Sequence, residues 1–289
     1  MQPTTIIKCA PGLMEIALAW KPLDWSIPLD HYRVEGRRRG HGWQLLKKTI
    51  FPFYRHDRLL PQGEEWHYRV KTVDAAGNVS RPSRPIRAKS LRSVVTGKPL
   101  ATAGHFDRQS TELKFAPRDY KKIPVAFPDG KISVTGNNPE IPYLLPGPKD
   151  AWAGEKSYSL TWEFDLAKSS IEPHRSKIHL ALWFIDTTKL GGSLEVELGG
   201  FRQTLSVPKG ATAGSKKGDA RRDDGSLKPG CWEKAIPSDS LREGRNTLTL
   251  TMRSGGWIAW DAIGLFAADF ETADSPPIHI LNSRFGGKL

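Results

Sequence analysis

The chain has 289 residues, with 43 Lys and Arg against 31 Asp and Glu, a formal charge of +12. Hydrophobic residues make up 38 % of it, enough for real cores, and no apolar run approaches the ~18 residues of a membrane span. Its two cysteines, Cys9 and Cys231, exclude a disulfide framework, and residues 2–12 lack the apolar stretch of a signal peptide, so the export signal of a secreted form would lie outside this chain.

The first third carries the charge. Residues 1–95 hold 17 basic and 8 acidic side chains, a net of +9. Such a block favours an anionic partner or serves as a solubilising surface. It reads as short strands between turn signals. In EIALAW, Ile16, Leu18 and Trp20 alternate with small or polar residues. In HYRVEG, Tyr32 and Val34 point one way, Arg33 and Glu35 the other. In EEWHYRVKTVD, Trp66, Tyr68 and Val70 form the inward set. Gly77–Asn78 then supplies a turn and Pro82 limits further pairing.

This pattern resembles a fibronectin type III domain. In this chain's L-x-P-x-G-x-x-W-x-Y-x-V run, Leu59, Pro61, Gly63, Tyr68 and Val70 fit the family, and Asp74, Gly77, Asn78, Ser80, Pro82 and Ser83 fit its D-x-x-G-N-x-S-x-P-S ending. Trp66 stands where the family keeps a corner tyrosine, so the corner bond comes from an indole N–H or is missing. The resemblance implies that the third and sixth strands are neighbours. Arg33, Arg69 and Lys71 would then share an outward face, with Arg37, Arg38, Arg39, Lys47 and Lys48 along its margin. That face is a cradle for carboxylated sugars or a plain solvated surface. With no recognition motif and no helix for a groove, nucleic acid is not an expected partner.

Beyond Gly97-Lys98-Pro99 strand signals resume. In YSLTWEFDL, Tyr158, Leu160, Trp162, Phe164 and Leu166 form an apolar row, and KIHLALWFID is apolar on both faces, as a doubly covered central strand requires. SLEVEL and NTLTLTM alternate, and GGWIAWDAIGLF closes the set. The expected fold class is all-β: a fibronectin type III sandwich over 1–95, followed by a jelly-roll, galactose-binding-like β-sandwich over 96–289. The long Gly-rich, charged segment 209–230 reads as mobile.

Three motifs in this second part resemble the C-terminal domain of rhamnogalacturonan lyases, polysaccharide lyase family four. Gly104, Asp107, Arg108 and Glu112 match its Gly-x-x-Asp-Arg-x-x-x-Glu opening. PGPKDAWAG (146–154) matches a loop ahead of its first long strand, and LREGRNTLTLTMRSGGWIAWDAIGL matches its closing signature. The family orders a catalytic domain, a fibronectin-like domain and a carbohydrate-binding-module-like jelly roll, and this chain resembles the last two. The resemblance implies a non-catalytic carbohydrate-binding portion of a pectin-active protein, a missing N-terminal catalytic domain, an acidic polysaccharide partner of rhamnogalacturonan type and an extracellular or periplasmic location. Two alternatives stand beside it: a fragment of a lyase, and a structural spacer that binds nothing.

No independent catalytic set appears, whether nucleophile elbow, H-E-x-x-H, clustered Cys and His, or phosphate-binding glycine loop. Carboxylates such as Asp223, Asp224, Asp269 and Glu271 read as solvated. Jelly-roll sugar binders commonly carry a structural Ca²⁺; no acidic run here resembles its loop, so it gets no residues, and no other cofactor is expected. Sugar faces stack on exposed aromatic rings, and hydroxyls need planar polar partners. Trp152 and Trp257, both beside turns, are the candidate platforms, and Trp260, on the face opposite Ile263 and Leu265, either lines a concave binding face or covers the core if that face is also packed. Asp150 and Asp261 are the candidate hydroxyl acceptors, or else carboxylates that hold loop N–H groups. The last strand is also similar to galactose-binding-like modules that place an Asn two residues before the Asp; here that residue is Ala259.

Overall fold

The computed structural model describes residues 3–24, 28–171, 178–222, 225–270 and 279–280; Asp223, Asp224 and Glu271 lie outside them. The chain divides into two units, Met1–Ser93 and Val94–Leu289. Both are built almost wholly from strands.

The first unit holds β1 (Ile6–Gly12), β2 (Glu15–Trp20), β3 (Leu29–Arg37), β4 (Gln44–Thr49), β5 (Phe53–His56), β6 (Glu65–Asp74) and β7 (Ile86–Lys89). They form two sheets, β1-β2-β5 and β4-β3-β6-β7, packed as a sandwich. Side chains alternate between the faces of a strand, so one residue in two goes inward. Ile16, Leu18, Trp20, Tyr32, Val34, Trp66, Tyr68 and Val70, the alternating set read from the sequence, make the core together with Leu59. After β6, Ser80 and Ser83 accept the backbone N–H groups of Thr72 and Val70, which occupies two ladder donors beside a stretch broken by prolines. The corner bond is missing: Trp66 is buried and its indole nitrogen has no partner.

The second unit holds β8 (Lys98–Gly104), β9 (Lys131–Thr135), β10 (Leu144–Leu145), β11 (Ser159–Leu166), β12 (Ile178–Thr187), β13 (Gly192–Leu198), β14 (Phe201–Val207), β15 (Gly230–Ala235), β16 (Gly244–Gly255), β17 (Ile258–Ala267) and β18 (His279–Ile280), with a short helix α1 (Lys122–Ala126). One sheet runs β14-β13-β16-β11-β9. The other runs β10-β17-β12-β15-β18, with β8 also paired to β17. The first is half-polar: Leu160, Trp162, Phe164 and Leu166 of β11 are buried while Thr161, Glu163 and Asp165 face out. In the second, every residue of β12 and β17 is buried.

Two segments cover the outer side of that sheet. Phe106 sets its ring edge-on against Trp183 (5.4 Å) and Phe266 (5.1 Å). The loop after β14 is fastened from beneath by Asp186. This fully buried carboxylate accepts from the backbone N–H groups of Ala211, Ala213 and Gly214, each at 2.8 Å. Gly214 is needed for that approach, because a Cβ there would come within 2.7 Å of Asp186 Cβ. The expectation of a mobile segment is therefore corrected over 209–222. The charged sequence hid a backbone tied down by one buried acid, and Tyr143 Oη adds a bond to the Ser215 carbonyl.

Candidate functional site

Trp152 sits on a 3₁₀ turn, Ala151–Ala153, at the rim of the second unit. Its ring is half-buried against the core, and Tyr120 meets it edge-on at 4.9 Å. Asp150 precedes the turn. Its Oδ2 accepts from the Gly147 N–H at 2.8 Å and the Trp152 indole also bonds to this carboxylate. Burial pushes the Asp150 carboxyl up to about 6, against the lowering effect of those two donors. The turn, the acid and the tyrosine edge together hold one aromatic ring in a set orientation with part of it open to solvent. Chemically, such a ring can stack on the C–H-rich side of a sugar.

The other sequence candidates fall elsewhere. Trp257 and Trp260 are 3 % and 1 % exposed and belong to the core of the second unit, which corrects the expectation that Trp257 projects from the rim and leaves Trp260 as a cover of the core and not the lining of a binding face. The physical reason is a break in pairing. Along β12, Trp183 pairs with Ala262 but Phe184 pairs with Trp260, so Asp261 is an extra residue on β17 and the alternation flips across it. Trp260 thereby joins Ile263 and Leu265 on one face. The bulge also aims Asp261 at the 104–112 segment. Its Oδ1 accepts from the Gln109 N–H at 2.9 Å, and the Arg108 N–H bonds to the same carboxylate. Burial raises its carboxyl well above the usual range, and neighbouring Asp107 and Glu112 add to that.

The residues of the Gly-x-x-Asp-Arg-x-x-x-Glu motif are fasteners of this same junction. Gly104 has φ +82°, and a Cβ there would approach the Asp261 carbonyl oxygen to 2.7 Å. Asp107 accepts from the Gln109 N–H (2.9 Å) and Nε2 (2.8 Å), and Glu112 accepts from the His105 N–H at 3.0 Å. Asp107 and Glu112 thus fix the 105–112 segment on itself, while Gly104, paired with Ala262, and the Arg108 and Gln109 N–H groups on Asp261 tie it to β17. Asp150 and Asp261 likewise hold backbone, so neither is a free hydroxyl acceptor.

On the first unit, the register of β3 with β6 sets Arg33 opposite Lys71 and Glu35 opposite Arg69. Glu35 accepts from Arg69 Nε at 2.6 Å and from Lys71 Nζ at 2.9 Å. Burial would raise its pKa, but the Lys71 and Arg69 bonds outweigh that and hold it below the usual range. Two guanidiniums lie over the Trp43 ring, Arg69 at 4.2 Å and Arg37 at 4.7 Å from its centre. The three expected cations do share this face, and two of them are already paired. Trp43 and Tyr120 were missed because each lies outside any alternating run, and only the folded chain brings them to a site. Among the described residues no group of three or more His, Cys, Asp or Glu is arranged to hold a metal ion, and no helix is long and apolar enough to cross a membrane.

No protein-family model matches the chain, and no curated protein does. Among solved structures, the sixth fibronectin type III domain of human fibronectin type III domain containing protein 3 is 18 % identical, covering 32 % of this chain and 84 % of that one, with a TM-score of 0.26. CBM35 from Cellvibrio japonicus Abf62 is 12 % identical over 44 % of this chain and 72 % of its own, with a TM-score of 0.24. A family 28 exopolygalacturonase from Yersinia enterocolitica is 18 % identical over 47 % of this chain and 27 % of its own, with a TM-score of 0.26. Against two other, larger matches the chain spans only 16 % and 12 % of their length. At these scores the likenesses carry no weight for function.

Proposed function

We propose that this chain is a non-catalytic carbohydrate-binding portion of a pectin-active protein, acting outside the cell or in the periplasm on an acidic glycan of rhamnogalacturonan type. The observation that carries the reading is the Trp152 ring, half open at the rim and oriented by Asp150 and Tyr120. An aromatic ring fixed in advance binds with less loss of side-chain freedom than a mobile one. The resemblance of the three motifs to rhamnogalacturonan lyases supports the substrate class, and the excess of basic residues in the first third supports an acidic ligand. In this reading a lyase domain belongs to the parent protein, and the chain itself turns nothing over.

Burial of Trp257 and Trp260 favours a second reading, a structural spacer. Affinity electrophoresis of the chain against rhamnogalacturonan I, homogalacturonan and neutral glycans separates the two. The proposal expects retardation by the acidic glycans and no rise in the ultraviolet absorbance of unsaturated uronates. Unretarded migration in every gel would leave the spacer.

A further inference from the structure

On the outward side of the β4-β3-β6-β7 sheet, Arg33 stands opposite Lys48 on one neighbour and Lys71 on the other. Strands lie about 4.8 Å apart, so three cations in one row repel each other. Lys71 finds relief in Glu35, and Arg69 takes the other oxygen of that carboxylate. The Glu35 side chain is 8 % exposed and both its oxygens are engaged. Arg33 gets nothing from it: its Nε is buried without a hydrogen-bond partner, and among the described residues no carboxylate pairs with its guanidinium. Lys48 is exposed and has no ion pair among the described residues. Two positions along the face, beyond Glu35, Arg37 lies over Trp43 and stands opposite His67.

A row of unneutralised cations costs stability unless an anion bridges it. We propose that this face is an acid subsite for a uronic-acid oligosaccharide, in which Arg33 and Lys48, opposite each other on β3 and β4, take the carboxylate. The inference rests on the glycan reading above and shifts acid recognition from the Glu35-paired Arg69 and Lys71 onto Arg33 and Lys48. A planar guanidinium matches a planar carboxylate through two parallel hydrogen bonds. Single-stranded nucleic acid needs a series of free aromatic faces for its bases. The strand positions on this face hold no Trp, Tyr or Phe, and the Trp43 ring already has guanidiniums over it.

The test is calorimetry on the full chain at low ionic strength, with oligogalacturonate, its methyl ester and oligo-deoxythymidylate as titrants. The double variant Arg33→Gln, Lys48→Gln is expected to bind oligogalacturonate about tenfold more weakly, with its affinity for the ester unchanged. Arg33→Lys, which keeps the charge and loses the planar fork, is expected to fall between the two. Both outward-facing changes are to be paired with melting curves that show no loss of stability against the unaltered chain. Unchanged acid affinity in the double variant, equal losses for acid and ester, or tighter binding of the oligonucleotide would overturn the proposal, as would absence of acid binding by the unaltered chain. Loss of ester binding alone strikes only the wider glycan reading.

Discussion

At Asp150 a single carboxyl couples folding, titration and the orientation of an aromatic ring. Its ordinary value is 3.8 and burial lifts it to about 6. The sign follows from which form the fold prefers. A raised carboxyl favours the protonated state in the folded chain, so its stabilising contribution is full below about pH 4 and is lost as the pH climbs through about 6. The Trp152 indole beside it reports the change. Trp152 fluorescence, or its indole N–H resonance, should titrate with a midpoint near pH 6, and Asp150→Asn should abolish that step. Asn keeps an acceptor for the Gly147 N–H without the buried charge, so the variant should be as stable as the parent, or more so, at pH 8. A step that persists in the variant would assign the titration to another group.

The strands themselves show which parts of this molecule alternation reveals. A half-buried strand announces itself through period two, and β2, β3, β6 and β11 fold with the inward residues that their sequences indicate. The doubly apolar run of β12 is covered on both sides, as its composition requires. Alternation fails at Trp260 because a bulge is a pairing event, set by the partner strand, and leaves no local mark. It fails again over 209–222, where a polar, glycine-rich sequence is fixed by an acid more than twenty residues earlier. That latch makes its own prediction. In Asp186→Asn an amide NH2 must replace one of the two oxygens that accept these backbone N–H groups, which should cost about 1–3 kcal/mol. Hydrogen exchange should rise at Ala211, Ala213 and Gly214 while the β12–β17 ladder stays protected. Unchanged exchange there would show that the loop is held by its other contacts.

Across the whole molecule, charge and aromatic surface are divided between the two units. The first has the unpaired cations of a strand row, and the second has the oriented ring of a rim turn. Candidate chemistry was legible in part. Trp152 and Arg33 could be picked out because a turn and an outward strand position are both written locally. Tyr120, Trp43 and the occupancy of Arg69 and Lys71 by Glu35 depend on contacts between distant segments. If acid recognition uses exposed cations, then salt must weaken it, since the screening length shortens to about 8 Å at physiological ionic strength and to about 3 Å at 1 M. Affinity for oligogalacturonate should therefore fall steadily with added NaCl while that for a neutral glycan holds. A salt-independent affinity for the acid would remove the cationic face from the account.

The most direct check on glycan recognition is isothermal titration of rhamnogalacturonan I oligosaccharides into the intact chain and into Trp152→Ala. A half-buried ring that stacks on sugar contributes about 1–2 kcal/mol, so the variant should bind roughly five- to thirtyfold more weakly with its cooperative melting preserved. No saturable heat from the unaltered chain, or equal affinity in the two proteins, would contradict the account.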